Sequence, residues 1–418
     1  MAKTLELYVH IPFCVKKCSY CDFLSFPADE RTQREYTDAL LREITFMSRL
    51  MKEYTVTTIF IGGGTPSWLD EDQMLQILDT IYKNFKVSRD AEITMECNPG
   101  TLTHRKLQSY RRAGVNRLSI GLQSADDEEL KILGRIHTFS QFLKTYEMAR
   151  ETGYDNINVD LISGIPHQTA EKFLKTLQKV VRLKPNHISA YSLIVEEGTP
   201  FYEAYFQDVK RQEAGLPTEI LPDEEETYRI YKLTQQYLTE AGYEQYEISN
   251  FAHKGYECKH NIGYWTRADY LGLGLGAASL VENVRYSNMT DLYKYIEGTH
   301  HMTMCGLEQE NDMAMPERDT AGKEKNFSPI MTNLHSSVDI LSRNAQMEEY
   351  MFLGLRMKNG LTREGFYKAF GIPVEGVYKD VLDHLKAEGL LEMAEGRIYL
   401  TDKGMDVGNY AMSQFLLG

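Results

Sequence analysis

No run in this sequence is long and apolar enough to cross a bilayer. The best candidate, residues 271–281, is short and broken by glycines, where a spanning helix needs about 20 apolar residues. The N-terminus, MAKTLELYVHIPF, has no cleavage pattern of a secretory leader and runs straight into a strand-like segment. A cytoplasmic protein is therefore expected. Positive charge is also short: 46 Lys and Arg stand against 60 Asp and Glu, a formal net charge of −14. Such a surface excludes a nucleic-acid partner held by phosphate contacts and is repelled by anionic lipid. Attachment at the inner face of the membrane would have to run through a protein partner. Cysteine is scarce at 6 in 418 residues, three of them clustered, which suits reduced thiols and excludes a disulfide framework. Tryptophan occurs only twice. What remains is ordinary for a globular chain, 42% hydrophobic and 25% charged, with length for two or three domains.

The clustered cysteines are the sharpest feature. Cys14, Cys18 and Cys21 follow the apolar run LELYVHI in a C-x3-C-x2-C spacing. Thiolates so close in sequence can converge on one metal centre, and both zinc and iron–sulfur clusters prefer this soft ligand. Structural zinc usually takes four ligands in two separated pairs. Here Cys97, Cys258 and Cys305 are scattered singly. An iron–sulfur cube held by three cysteines would leave one iron open to an outside ligand. A zinc site closed by His10, or a chance cluster, stands as the alternative.

From Leu5 to about Ile194 apolar runs alternate with segments of helical spacing. The runs are LELYVHI, TTIFIGG, AEITMECN, RLSIGLQ, NINVDLIS and HISAYSL; the helical segments include residues 33–51, 70–85, 138–152 and 172–181. This order predicts an α/β fold of parallel βαβ units. Six units fall short of the eight of a closed barrel, so a partial (β/α)6 barrel with an open mouth is expected. Sites in such folds collect where strands end. The cysteines follow the first strand, Gly62 to Pro66 the second, and Glu96 to Pro99 the third. Gln123 closes the fourth, Arg135 lies beyond it, and Asp160 is within the fifth. All of them should gather on one face.

Beyond Ile194 the alternation stops. Residues 196–221 read as loop with one short amphipathic piece, and 222–242 as a helix. The YLGLGLGA run reads as tight packing of backbone on backbone. Residues 308–333 are polar and read as an insertion, and the end of the chain as helices leading into a hairpin. The expected organisation is a barrel over 1–195, a barrel-completing region over 196–305, a polar insertion or linker over 306–345, and a small α+β, winged-helix-like C-terminal domain over 346–418.

The stretch YVHIPFCVKKCSYCDF resembles the signature of the radical S-adenosylmethionine (SAM) superfamily, in the branch that holds oxygen-independent coproporphyrinogen dehydrogenases and heme chaperones. The resemblance implies a radical SAM partial barrel, with a [4Fe–4S] cluster on Cys14, Cys18 and Cys21 and SAM on the remaining iron. It assigns Gly63, Gly64 and Thr65 of GGGTP to SAM contacts, against the plain tight turn the residues alone suggest. It makes Glu96 an acceptor for the SAM ammonium or ribose. Gln123, Arg135 and Asp160 match LSxGxQ, a downstream arginine, and xDLIxGxP, and are implied to touch a second SAM or the substrate. Tyr8 and Tyr20 flank the cluster, either shielding it and stacking on adenine or simply packing in the core.

HNIGYW, residues 260–265, resembles a motif of the chaperones, which implies heme binding with His260 as an iron ligand; Cys258 and His253 are alternatives. Phe23 stands where the dehydrogenases place a fourth cysteine, and their extension ahead of the first strand has no counterpart before Leu5. The resemblance thus implies a chaperone that delivers heme to respiratory enzymes, through a transient homodimer or a docking contact, with flavodoxin or ferredoxin as reductant. Oxidative decarboxylation of coproporphyrinogen III, or another radical SAM modification of heme, is the alternative activity.

Overall fold

The computed structural model describes residues 3–302 and 332–417. Six parallel strands stand side by side in chain order: β1 (Lys3–Ile11), β2 (Tyr54–Gly63), β3 (Val87–Cys97), β4 (Arg117–Gln123), β5 (Asn156–Ser163) and β6 (His187–Ser192). Their apolarity is nearly continuous because both faces are covered: in β4 all residues but the last are buried. Helices return each strand to the next. The helix Glu30–Leu50 starts where Asp29 accepts the Thr32 amide, and Phe139–Glu151 starts at a full capping box between Thr138 and Gln141.

The sheet never closes. Beyond β6 lie β8 (Asn250–Ala252) and the two-residue β7 (Glu244–Gln245), both antiparallel. Beyond β1 come β9 (Tyr270–Leu273), parallel to it, then β10 (Ala278–Val281), β11 (Val284–Asn288) and β12 (His335–Ile340), all antiparallel. Twelve strands run in the order β12-β11-β10-β9-β1-β2-β3-β4-β5-β6-β8-β7. This is the expected partial barrel of six βα units, widened at both edges. In the YLGLGLGA run, Gly272 sits so close to β10 that a Cβ would come within 2.2 Å of the Ala278 carbonyl oxygen, as tight backbone packing requires.

Two stretches differ from their sequence reading. Residues 200–213, expected mostly as loop, form the helix Pro200–Glu213, opened by Thr199 and buried through Phe201 and Val209. Its polar majority concealed that short buried face. The insertion expected over 306–345 lies mostly outside the described residues. Its described end is no linker, because His335–Ile340 pairs with β11 and a helix begins at Arg343. Strand pairing supplied what the polar composition of that stretch did not suggest.

The C-terminal unit has its own core around Phe366, Tyr378, Leu382 and Ile398. Helices Arg343–Gly354, Arg363–Phe370 and Glu375–Ala387 precede a hairpin of β14 (Leu391–Ala394) and β15 (Arg397–Leu400); β13 (Leu361–Thr362) adds to β15. The hairpin turns through Glu395 and Gly396, both at positive φ, as a two-residue turn demands. Glu349 receives Arg267 and Arg285 from the barrel at 3.0 and 2.7 Å, and the Arg356 guanidinium lies 4.4 Å from the centre of the Trp265 ring. The unit is thereby tied to the segment that follows HNIGYW.

Candidate functional site

The strand ends do meet on one face, around a cavity of about 360 Å3. Its walls include Cys14, Cys18, Cys21, Tyr20, Gly63, Gly64, Thr65, Glu96, Gln123, Arg135 and Asp160, so eleven of the thirteen residues singled out above share it. The cysteine loop leaves β1 and is pinned by its backbone: the Cys14 amide reaches the Phe26 carbonyl at 3.2 Å, and the Ser19 amide the Leu133 carbonyl at 3.2 Å. All three thiols are free. Burial pushes the Cys14 and Cys21 thiols up, the neighbouring thiols add to this, and a hydrogen bond from Ser25 opposes it. A metal bound by these thiols would have to displace their protons.

The donor set fits an iron–sulfur cluster better than a lone ion. Among the described residues no group of His, Cys, Asp and Glu closes up tightly enough for a single metal ion. Three free thiols facing one cavity suit the thiolate ligation of an iron–sulfur cluster. The zinc alternative loses its fourth ligand. His10 Nε2 is 2.9 Å from the Leu24 carbonyl and Nδ1 is 3.0 Å from the Tyr8 hydroxyl, so both ring nitrogens are engaged.

Below the loop the chain makes room at Gly63 and Gly64. Gly63 takes φ +113, and a Cβ there would lie 2.6 Å from the His10 ring; at Gly64 it would lie 2.6 Å from the Phe13 carbonyl oxygen. The Gly63 amide donates to Glu96 Oε2 at 3.0 Å. Glu96, deep in the barrel, has its carboxyl pushed up to about 8 by desolvation and then by the charge of Asp160. It thus waits for a cation that would ionise it. Asp160 accepts from Ser119 at 2.9 Å and from Asn158 at 2.7 Å. Gln123 ends β4 at φ +71, beside a register shift against β5; a non-glycine residue in that region is strained, as functional sites tolerate. Arg135 is no surface arginine. It donates to Cys18 Sγ at 3.6 Å, to Asn98 Oδ1 at 2.7 Å and to the Gly121 carbonyl at 2.9 Å.

Two of the singled-out residues lie elsewhere. Tyr8 lines an adjoining cavity of about 220 Å3, which shares Gly63, Glu96 and Asp160 with the first. His260 borders neither. It is 1% exposed, stacks on Phe60, and spends Nδ1 on Thr58 at 2.7 Å and Nε2 on Tyr264 at 2.9 Å. Burial holds its pKa down at about 3. As it stands, His260 has no nitrogen to offer an iron. Of the alternatives, Cys258 is buried against Glu92, and His253 stacks on Tyr243 and bonds the Gly242 carbonyl.

Sequence reading placed Asn98 on the site's face with its neighbours but gave it no role of its own; it links Arg135 to Thr65 Oγ1, which its Nδ2 reaches at 2.8 Å. Its position two residues after Glu96 was the available signal. It also passed over Tyr191 and Ile194, which reach the cavity from the end of β6, and Asn261, the residue of HNIGYW that borders the second of these two cavities.

A three-cysteine loop over a glycine-lined cavity in a parallel partial barrel is the architecture of the radical SAM class. The radical SAM superfamily model matches residues 8–180, and the HemN C-terminal domain model matches residues 341–407. The heme chaperone HemW of Bacillus subtilis is 35% identical over 410 residues, 98% of each chain. That of Lactococcus lactis is 34% identical over 417 residues, covering 100% of this chain and 98% of its own. The solved structure of coproporphyrinogen III oxidase (HemN) from Escherichia coli superposes with a TM-score of 0.79 at 24% identity, over 99% of this chain and 90% of that one, which shows a common fold. The chain belongs to the heme chaperone HemW family of radical SAM proteins.

Proposed function

We propose that this protein binds heme and delivers it to a heme-accepting protein, with a [4Fe–4S] cluster and SAM held in the cavity over β1–β6. The observation that carries this is the end-to-end likeness to proteins named heme chaperone HemW. Phe23 in place of a fourth cysteine supports it. Cys14, Cys18 and Cys21 hold the cluster and leave one iron for SAM; when bound, the pair supplies one-electron chemistry. Gly63, Gly64 and Thr65 let the backbone approach SAM, and Glu96 receives its ammonium. Arg135 steadies the loop through Cys18 and the turn through Asn98. Gln123 and Asp160 complete the wall toward the substrate, and Tyr8 and Tyr20 present aromatic faces to the two cavities.

A respiratory enzyme is the acceptor, flavodoxin or ferredoxin the reductant, and a transient homodimer the form that docks. No helix among the described residues is long and apolar enough to cross a membrane; work in the cytoplasm, at the membrane's inner face through the acceptor, is consistent with that. The domain limits 1–195, 196–305 and 346–418 serve as the working division, with the C-terminal unit starting a few residues earlier, at the helix Arg343–Gly354.

The deciding experiment gives anaerobically reconstituted protein SAM, a reductant and coproporphyrinogen III, and in parallel titrates it with heme. Stoichiometric heme binding and no protoporphyrinogen are expected. Sustained porphyrinogen turnover would overturn the chaperone reading in favour of the decarboxylase.

A further inference from the structure

The smaller cavity contains a charge that no group among the described residues meets with an ion pair. Arg117, the first residue of β4, is 2% exposed and lies on the wall of the 220 Å3 space with Tyr8, Phe60, Ser189 and Asn261. Its Nε has no hydrogen-bond partner. Among the described residues no carboxylate forms an ion pair with it. Cys258, Glu92, Tyr246 and Asp160 favour its charge through space, as Arg117 in turn acts on Glu96, but the two carboxylates nearest in effect, Glu92 and Asp160, are bonded elsewhere. Glu92 takes the amides of Lys259 and His260, both at 3.2 Å, at the start of the helix Lys259–Trp265. Asp160 is held by Ser119 and Asn158. A buried guanidinium with no carboxylate in hydrogen-bond contact keeps its planar fork open, and that fork matches a carboxylate.

We propose that Arg117 anchors a carboxylate of the bound porphyrin, a propionate arm reaching into this cavity while the ring stays at the mouth. The inference rests on the heme reading above. The space is below the about 300–1,000 Å3 of a pocket that engulfs a drug-sized ligand, yet ample for a three-carbon acid. No cysteine lines it, so the cluster ligands face the other cavity, while Gly63, Glu96 and Asp160 form the wall the two share. Phe23, 70% exposed, and Tyr191, 41% exposed, border both cavities. They offer apolar surface for a ring at the point where its arm would turn inward. Propionates are the only anionic arms of heme, and a buried arginine–carboxylate pair gives orientation as well as affinity.

The test titrates the wild-type protein with heme and with heme dimethyl ester, followed in the Soret band, and repeats both on Arg117→Met. The expected result is that the ester binds wild type about tenfold or more weakly than heme. Arg117→Met then lowers heme affinity by a like factor and leaves ester affinity unchanged. Equal wild-type affinity for heme and ester would overturn the proposal and leave the cavity to ordered water. So would an equal loss of both ligands in the variant. Should Arg117→Met fail to fold, the wild-type pair of titrations decides alone. No heme binding by wild type would sink the chaperone reading itself, and this proposal with it.

Discussion

The cysteine loop and the HNIGYW helix are both short, motif-dense stretches, and they are built in opposite ways. In the loop the backbone is pinned and the side chains are left over. Its amides are held by Phe26 and Leu133, while three thiols face a cavity. In the helix most side chains are consumed, the buried Trp265 Nε1 being the donor left without a partner. His260 is closed between Thr58 and Tyr264, Trp265 lies under Arg356, and at Gly263 a Cβ would fall 2.0 Å from Glu6 Oε1. A binding motif keeps its donor atoms unspent, whereas a structural motif spends them on its own fold. By that measure HNIGYW joins the barrel to the C-terminal unit, and only Asn261 of its residues borders the two cavities at the strand ends.

The largest break in this comparison should come from the loop. Replacing Cys14, Cys18 and Cys21 together by alanine should abolish bound iron and sulfide after anaerobic reconstitution, with little change in thermal stability. Iron and sulfide at wild-type levels would refute the ligand assignment.

Glu96 gives the next effect, and its sign is opposite to that of His260. Its folded pKa of about 8 exceeds the ordinary carboxylate value of 4.5. Its contribution to stability is thus complete below 4.5 and lost as pH rises toward 8. Binding the SAM ammonium would expel the proton, so SAM affinity should climb between pH 6 and 8, by up to about tenfold per pH unit. Equilibrium dialysis across that range would show it, and Glu96→Gln should bind weakly and flatten the profile. A sloping profile in the variant would assign the titration to another group.

His260 behaves the other way, with a pKa lowered from 6.5 to about 3. Its contribution is present above 6.5 and lost as pH falls through 3. His260→Ala should cost about 2–4 kcal/mol of unfolding free energy, from two buried hydrogen bonds and the cavity left behind. The Soret position of the heme complex should not move. A shifted Soret band in a folded variant would restore His260 as a ligand.

The smallest effect is at the seam. Arg356→Ala removes a cation–π contact worth about 0.5–2 kcal/mol and should raise hydrogen exchange in residues 343–417 while leaving cluster loading intact. Unchanged exchange would show that the Glu349 ion pairs hold the unit alone.

Much of this was open to sequence reading because period and spacing are local. Continuous apolar runs marked β1 to β6, and their ends marked Gly63, Glu96 and Gln123 as neighbours before any coordinate. Asn98 was harder, since its worth lies in bridging Arg135 and Thr65, residues 37 and 33 positions away. The helix Pro200–Glu213 was obscured by polar surface residues, and β12 by its edge position, where one side of a strand needs no apolar pattern.

The sequence by itself determined the class of fold, the thiols proposed as metal ligands and the face on which the site forms, because thiolate spacing and strand periodicity act within a few residues of chain. Only the tertiary structure decided which groups remain available. Whether a histidine is free or spent, and whether an arginine has a counter-ion, depends on partners such as Thr58, Glu92 and Asp160. Packing brings these together from distant strands, and no spacing along the chain encodes their final distances.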